Sequence, residues 1–110
     1  MAVLIEHDIE NNGRIVNAFA GKHKVGFALG TVDAWNLKLD NIHVAPLFRG
    51  RGLGGLMLFR LMDWAKEAGL IFVTGDFAPE IGSEKIVRRF YEKYGFTIHP
   101  SGRLFKNLLA

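Results

Sequence analysis

The sequence contains no cysteine, and this absence excludes a disulfide framework, a thiolate nucleophile and a cysteine metal site. Long apolar runs are also missing, because charge interrupts the stretch from Leu53 to Met62, which is too short to span a bilayer. The first ten residues lack the basic segment and apolar run of a signal peptide. We therefore expect a cytoplasmic protein that does not insert into a membrane. No metal is expected either, because metal-ligand spacing is absent from the four histidines His7, His23, His43 and His99.

The composition of the sequence fits a single domain. Its 110 residues are 49% hydrophobic and 23% charged, a balance typical of a single globular domain with one modest core. We find no internal repeat and no linker-like segment, so the prediction is one domain over residues 1–110. The formal charge is +3, and arginines are grouped at Arg49, Arg51 and Arg60 and again at Arg88 and Arg89. This grouping favours an anionic partner, although exposed surface charge explains any single arginine equally well.

The first 45 residues have the pattern of an antiparallel meander. Short segments rich in Val, Ile, Leu and Phe alternate with turn material, as in successive hairpins. The four predicted strands are Ala2–His7, Arg14–Ala20, Lys24–Gly30 and Leu37–Ala45.

From Leu53 onward the pattern changes to helix and strand in alternation. Apolar residues recur at helical spacing up to Ala68, and Gly69 predicts the end of this helix. The next apolar run, Leu70–Thr74, has the length of a strand. Because it follows a helix, we expect it to pair parallel to the fourth strand.

The last third of the chain predicts a second helix and a hairpin. Ser83 is the predicted N-cap of this helix, and Gly95 closes it. Its predicted apolar stripe consists of Ile86, Val87, Phe90, Tyr91 and Tyr94. The predicted hairpin strands are Phe96–His99 and Leu104–Leu109. The predicted fold class is therefore α+β, a mixed and mostly antiparallel sheet with two main helices packed on it.

The most informative segment is a glycine-rich turn between the fourth strand and the first helix, from Gly50 to Gly55. Glycines let the backbone turn without Cβ clashes and direct amide N–H groups into one cavity, while the helix start adds about half a positive charge. Arg49 and Arg51 add mobile donors for phosphate oxygens. The turn is therefore a predicted phosphate site.

A dinucleotide site is one interpretation of these glycines. Gly50-x-Gly52-x-x-Gly55 matches the dinucleotide fingerprint, and Asp76 lies at a spacing compatible with its ribose-binding acid. In that fold the first glycine follows its strand almost at once, whereas here the segment 46–49 intervenes. Too little chain follows for the further strand-helix units, so we do not favour nicotinamide binding.

Two motifs in order resemble the GNAT superfamily of acyl-CoA N-acyltransferases. Arg49-x-x-Gly52-x-Gly54, after a strand ending in Val44-Ala45-Pro46, resembles the family's Arg/Gln-x-x-Gly-x-Gly/Ala pattern. The segment from Phe90 to Phe96 resembles its helix-to-strand signature ending in Gly-Phe. The resemblance covers roughly residues 24–100. Typical members begin with a strand and two helices that wall the acceptor site, and this chain resembles a short form without that front.

The resemblance implies an N-acetyltransferase that uses acetyl-CoA as co-substrate. It also implies that the parallel strands splay apart and that the pantetheine arm lies in the gap, against the backbone of Ile42, His43 and Val44. The amide near Val44 would polarise the acetyl carbonyl. The implied pyrophosphate site consists of Arg49, Gly50, Arg51, Gly52, Leu53, Gly54 and Gly55.

An amine acceptor must lose a proton, because the reference pKa of lysine is about 10.4. Several relatives carry a glutamate four residues before the position of Val44, so the resemblance implies that Asp40 is the base. Strand alternation would put Asp40 on the same side as Ile42 and Val44. Asp40 could instead begin the strand or pair with Lys38, and Asp76 or Glu80 could then be the base.

Tyr91 is the implied acid that protonates the leaving thiolate, because it stands four residues before Gly95, as the family's usual acid does. A packed core aromatic is the alternative. Glu84 stands where relatives often carry an asparagine that contacts the CoA arm, and the adjacent Ser83 is the candidate for this contact.

The missing front implies an open acceptor cleft. An open cleft suits a protein lysine or N-terminus, or a wall donated by a second subunit in a homodimer. The expected partners are acetyl-CoA and an amine acceptor, which is a protein or a small molecule. Two other functions stay open: a catalytically silent acyl-CoA-binding or protein-interaction module, and a small basic nucleic-acid binder. We disfavour nucleic acid because no recognition helix is evident.

Overall fold

A computed structural model describes residues 3–10 and 12–109, apart from the side chains at positions 8 and 10. The predicted elements are all present, and the α+β class is confirmed. Ala2, the predicted first residue of the first strand, lies outside the described residues. The elements are β1 (Val3–Glu10), β2 (Gly13–Ala20), β3 (His23–Asp33), β4 (Asn36–Val44), a short 3-10 helix (Pro46–Phe48), α1 (Leu53–Glu67), β5 (Phe72–Asp76), α2 (Glu84–Lys93), β6 (Thr97–Ile98) and β7 (Arg103–Asn107).

The strands form one seven-stranded sheet in the order β1-β2-β3-β4-β5-β7-β6. The predicted antiparallel meander of β1 to β4 is confirmed, and so is the parallel pairing of β4 with β5. The position of β7 between β5 and β6 was not predicted, because a hairpin pattern does not say which of its strands joins the sheet.

Some strand ends differ from the predictions. β1 continues past His7 to Glu10, and β3 continues past Gly30 to Asp33, because each residue keeps a cross-strand partner. Leu70, the predicted first residue of β5, instead donates its backbone N–H to Ala65 at the end of α1. Pairing with neighbouring strands, rather than local apolarity, therefore decides where these strands end.

Both helices pack on the same face of the sheet. α1 lies over β2, β3 and β4, and a Cβ added at Gly26 would stand 3.0 Å from the Met57 side chain. α2 lies beside α1, since a Cβ added at Gly54 would stand 3.8 Å from Phe90 and one added at Gly55 would collide with Tyr94. The side chains that α1 buries in the core include Leu53, Met57, Leu58, Leu61, Met62 and Ala65.

No described helix covers the other face of the sheet, which we call the open face. The extents of the molecule, 36 × 34 × 22 Å, are consistent with one sheet layer and one helix layer. α2 itself is only partly covered: no residue within it is buried, and Ile86, which was predicted on its apolar stripe, is 74% exposed.

Candidate active site

A gap opens between β4 and β5. The two strands pair only from Asn36 to Lys38, opposite Phe72 to Thr74, in the part of the chain that the structure describes. A side-chain hydrogen bond of 2.8 Å from Asn36 Nδ2 to Thr74 Oγ1 ties them together there. Beyond this point β4 runs on to Val44 without β5 beside it, and a cleft of about 450 Å³ lies in the gap.

The edge of β4 that faces the gap carries peptide groups that β5 does not pair. The N–H of Ala45 donates to Val25 of β3 at 2.8 Å. Peptide groups alternate in direction along an antiparallel strand, so those of His43 face β3, whereas those of Val44 and Ile42 face the gap. Arg49 Nε donates to the carbonyl of Val44 at 2.8 Å, which agrees with this direction.

Asp40 sits in a β-bulge. Leu29 pairs with Asn41 and Gly30 with Leu39, which leaves Asp40 as the extra residue. Ile42 and Val44 face α1, since both lie within 4 Å of a Cβ added at Gly54. The prediction that Asp40 shares their side of the strand is therefore wrong, because the bulge breaks the alternation.

The carboxylate of Asp40 lies at the mouth of the cleft on the open face. It accepts a hydrogen bond of 2.6 Å from Thr31 Oγ1 of β3, and it lines the cleft together with Asn41. The alternative ion pair with Lys38 is not seen among the described residues, where the partner of this carboxylate is Thr31. The hydrogen bond from Thr31 fixes the carboxylate where an amine could reach it.

Tyr91 lines the same cleft from α2. Its ring packs edge-on against Phe90 and Phe96, at centroid distances of 5.2 and 5.5 Å. Burial raises the pKa of its phenol above the usual 10.0, so the hydroxyl keeps its proton at neutral pH. The ring is thus partly a packed aromatic, and its hydroxyl makes no hydrogen bond with any described residue.

Two further carboxylates line the cleft, Asp76 at the end of β5 and Glu80 in the loop that follows. The structure therefore brings together all three carboxylates that the sequence offered as the base. Neither Asp76 nor Glu80 has a cation within ion-pair distance among the described residues. Together with Asp40 they make the cleft acidic, and among the described residues that line it Lys38 is the cation.

The glycine-rich turn has the backbone conformation of an anion site. Gly50 and Gly52 have φ of +77° and +79°, and a Cβ at either position would meet nothing described within 4 Å. Glycine is therefore required here for its conformation rather than for space. Gly52 precedes α1, and no side chain in the described residues caps this helix, so the first N–H groups are left for a ligand.

The two arginines of the turn are held differently. Arg49 is bonded to the Val44 carbonyl, whereas the Arg51 guanidinium lies 5.6 Å from the centre of the Phe48 ring. Both side chains are exposed. Of the two, Arg51 is the one whose donors are not engaged with the backbone.

The loop before α2 departs from the predicted cap. Ser83 stands at the N-cap position, but its hydroxyl donates to the Glu80 carbonyl at 2.7 Å instead of capping the helix. The Glu84 carboxylate accepts from the N–H of Gly82 at 3.1 Å. Neither Ser83 nor Glu84 lines the cleft, so the predicted contact of Ser83 with the CoA arm finds no support in this geometry.

Sequence reasoning missed Thr31, which positions Asp40, and Asn41, which shares the mouth of the cleft. Thr31 is nine residues before Asp40, and only the register of β3 against β4 brings the two together. The sequence carried no signal for this contact.

A cationic corner lies apart from the cleft, between β1, β2 and α1. The Nδ1 of His7 and the Nε of Arg14 are buried there without a hydrogen bond to any described atom. The Arg14 guanidinium stacks 4.3 Å from the centre of the Trp64 ring. Burial, and then the charges of Arg14 and Arg60, lower the pKa of His7 below 6.5.

Comparison with known families assigns the sequence to a class of protein. The acetyltransferase (GNAT) family matches residues 2–96, and the chain belongs to this family. The sequence-based identification of the superfamily is confirmed. None of the described helices is long and apolar enough to cross a bilayer.

Individual relatives are similar to parts of the chain. The uncharacterized N-acetyltransferase ycf52 of Pyropia yezoensis is 31% identical over 84 residues, which are 76% of this chain and 45% of that protein. The chain spans 37–45% of the length of the curated relatives that it matches.

Among solved structures, the IAA acetyltransferase from Bacillus cereus superposes with a TM-score of 0.80 at 18% identity, over 96% of this chain and 99% of that one. A GNAT family acetyltransferase from Elizabethkingia anophelis, solved with acetyl-CoA bound, superposes with a TM-score of 0.74 at 19% identity, over 88% and 77%. At these identities the likeness concerns the fold.

Proposed function

We propose that this protein is an N-acetyltransferase that moves an acetyl group from acetyl-CoA to a primary amine by direct attack while both substrates are bound. The observation that carries the proposal is the gap between β4 and β5. It combines peptide groups that β5 does not pair, a helix start without a cap and a cleft with carboxylates and a phenol. Family membership supports the same activity.

The residues present fit acetyl-CoA. The N–H groups of Leu53, Gly54 and Gly55 at the start of α1 would hold the pyrophosphate, helped by the turn from Gly50 to Gly52. Arg49 and Arg51 flank this turn, and the N–H donors of Arg51 are not engaged with the backbone.

The pantetheine arm would run along the gap edge of β4. Ile42 and Val44 direct their peptide groups there, while His43, between them, is held by β3. Acetyl-CoA supplies the activated acetyl thioester. The Val44 N–H would stabilise the charge that develops on the carbonyl oxygen, and one such donor is worth about 3 kcal/mol.

Asp40 would act as the base and Tyr91 as the acid. The carboxylate held by Thr31 takes a proton from the acceptor amine at the mouth of the cleft. The Tyr91 hydroxyl gives its proton to the departing sulfur, and its raised pKa supports this role because the phenol stays protonated. The acceptor would enter from the open face, where Asp40 lies.

The acceptor is proposed to be a cationic amine, because Asp76 and Glu80 add negative charge beside Asp40. A protein lysine, an N-terminus and a small-molecule amine all satisfy this requirement. A panel of such amines in an assay of free CoA thiol would rank them.

The test combines binding with turnover. Calorimetry should detect association with CoA, and Tyr91→Phe and Asp40→Asn should each lower kcat by about 100-fold or more with CoA affinity unchanged. Tyr94→Phe is the matched control, since it removes a hydroxyl one helical turn further on that does not line the cleft.

Two results would contradict the proposed activity, and a third would contradict the role of Tyr91. No heat of association with CoA in a folded sample would reject acetyl-CoA as co-substrate. Normal binding without turnover on any amine would instead identify a silent acyl-CoA-binding module. If Tyr91→Phe turned over like the control, the role of Tyr91 as acid would be wrong.

A further inference from the structure

The open face carries a cluster of large apolar side chains. Its members on the first three strands are Leu4, Ile15, Phe19, Phe27 and Leu29. The register fixes their side of the sheet, because Ile15 pairs with Leu29 and both alternate with residues that face α1. Leu4 is 57% exposed and the other four are half-buried. We call these five residues the apolar patch.

The strands that bear this patch carry apolar residues on both sides over much of their length, although the polar Asn17 lies between Ile15 and Phe19 on the open face. β2 and β3 bury Val16, Ala18 and Ala28 against the helix side, and they present the patch on the open face. An antiparallel strand with one side in water normally alternates apolar and polar residues, whereas strands apolar on both sides belong to sheets covered on both. At these positions β2 and β3 resemble covered strands, while the described helices cover one side of the sheet.

We propose that a second copy of this chain covers the open face, in a two-fold dimer whose sheets pack face to face. Contiguous apolar patches on a protein surface mark interaction sites when they are large. A substrate would cover the apolar patch only while it is bound, whereas a second copy of the chain is present whenever the protein is. Sheets pack in this way about 10 Å apart.

The area of the open face is close to the area that each partner buries in a stable dimer. The strands β1 to β4, taken as about eight residues each at about 3.3 Å per residue and a spacing of about 4.8 Å, give the whole face a footprint of roughly 500 Å² in projection. This area includes β4, whose side chains on this face are polar. Phe72 and Phe105 extend the same face across the gap, with ring centroids 5.4 Å apart. A standard interface buries about 800 Å² of accessible surface on each partner, which a corrugated footprint of this size approaches.

The charges are arranged as at an interface. The polar Asn17 lies among the members of the apolar patch, and the ionisable residues Glu6, Lys24, Lys38, Asp40 and His43 stand around it, with the His43 ring 5.6 Å from that of Phe27. A polar rim about an apolar centre is the usual anatomy of a protein interface. Because Asp40 is part of the rim, the partner copy would form a wall on the acceptor side of the cleft. This last step alone rests on the proposed function.

The experiment is sedimentation velocity from about 1 to 100 µM, with Phe27→Lys and the milder Leu4→Lys on the patch. Ile86→Lys is the matched control, since Ile86 is 74% exposed on the helix side. The wild type and the control should sediment as dimers of the 12.3 kDa chain. Phe27→Lys should raise the dimer dissociation constant by about 30-fold or more, the size expected of a central interface residue.

Leu4→Lys keeps the test decisive if Phe27→Lys does not fold, and thermal melting of each variant reports folding. A monomeric wild type at 100 µM, or a control that dissociates as much as the patch variants, would overturn the proposal. Calorimetry with CoA separates it from the proposed function. Monomeric Leu4→Lys should still bind CoA, because the start of α1 lies on the other side of the sheet. If the wild type were a dimer that did not bind CoA, the proposed function alone would be contradicted.

Discussion

The adjacent glycines Gly54 and Gly55 provide a sharp test of how the two helices meet. A Cβ at position 54 would make ordinary contacts of 3.6 to 3.9 Å with Val44, Phe90 and Ile42. A Cβ at position 55 would collide with the Tyr94 hydroxyl and stand 2.7 Å from Cζ of its ring. We therefore expect opposite effects from Gly54→Ala and Gly55→Ala.

The magnitudes follow from two terms. Alanine gains up to about 1 kcal/mol over glycine in a helix, and both variants receive this gain. Only Gly55→Ala must also displace the Tyr94 ring, and overpacking costs about 1 to 3 kcal/mol. The difference in the free energy of unfolding between the two variants isolates the steric cost, because the propensity gain cancels.

Thermal melting measures the difference. At roughly 4 °C per kcal/mol for a domain of this size, Gly55→Ala should melt about 4 to 12 °C below Gly54→Ala. In a Tyr94→Leu background the ring is gone, so Gly55→Ala should cost less, with a coupling of about 1 to 2 kcal/mol. Equal melting temperatures for the two alanine variants would refute the close approach of α2 to α1.

Three other substitutions test separate features. Gly52→Ala meets no described atom within 4 Å but forces alanine to a φ of +79°, so it should destabilise by about 1 kcal/mol and weaken CoA binding in calorimetry. Burial, and then Arg14 and Arg60, lower the pKa of His7 in the native state, so the unfolded chain takes up a proton first as the pH falls below 6.5. Stability should then decline below that pH, and urea titrations of His7→Leu should show a flatter decline. Thr31→Val removes a donor to the proposed base, so kcat should fall about 10-fold at unchanged CoA affinity, and an unchanged kcat would deny Thr31 a positioning role.

The sequence predicted the elements and the parallel pair because both depend on local patterns. The helical period from Leu53 and the stop at Gly69 are local, and a helix between two strands favours a parallel crossover. Gly50 and Gly52 were also predicted as conformational positions, and their positive φ angles agree. Such features need no knowledge of distant partners.

The features that sequence reasoning missed depend on register. Whether Asp40 lies beside Ile42 or opposite to it is decided by one extra residue in β4, and nothing in the local pattern marks that residue. Nothing in the local pattern marks the side of the sheet on which α2 packs either. The glycine pair at 54 and 55 carried a signal, since small residues on a helix permit close approach, but it did not identify the partner.

The bulge divides the proposed site between the two faces of the sheet. In strict alternation Asp40 would face α1, the side on which Ile42 and Val44 meet the helix start. The bulge instead puts two consecutive side chains, Asp40 and Asn41, on the open face. The proposed pyrophosphate site and the proposed base therefore reach the gap from opposite sides, so neither substrate has to pass the other. A second copy on the open face would then set the width of the acceptor entrance without touching the cofactor side. Substitutions in the apolar patch should accordingly change KM for the amine and leave KM for acetyl-CoA as it is.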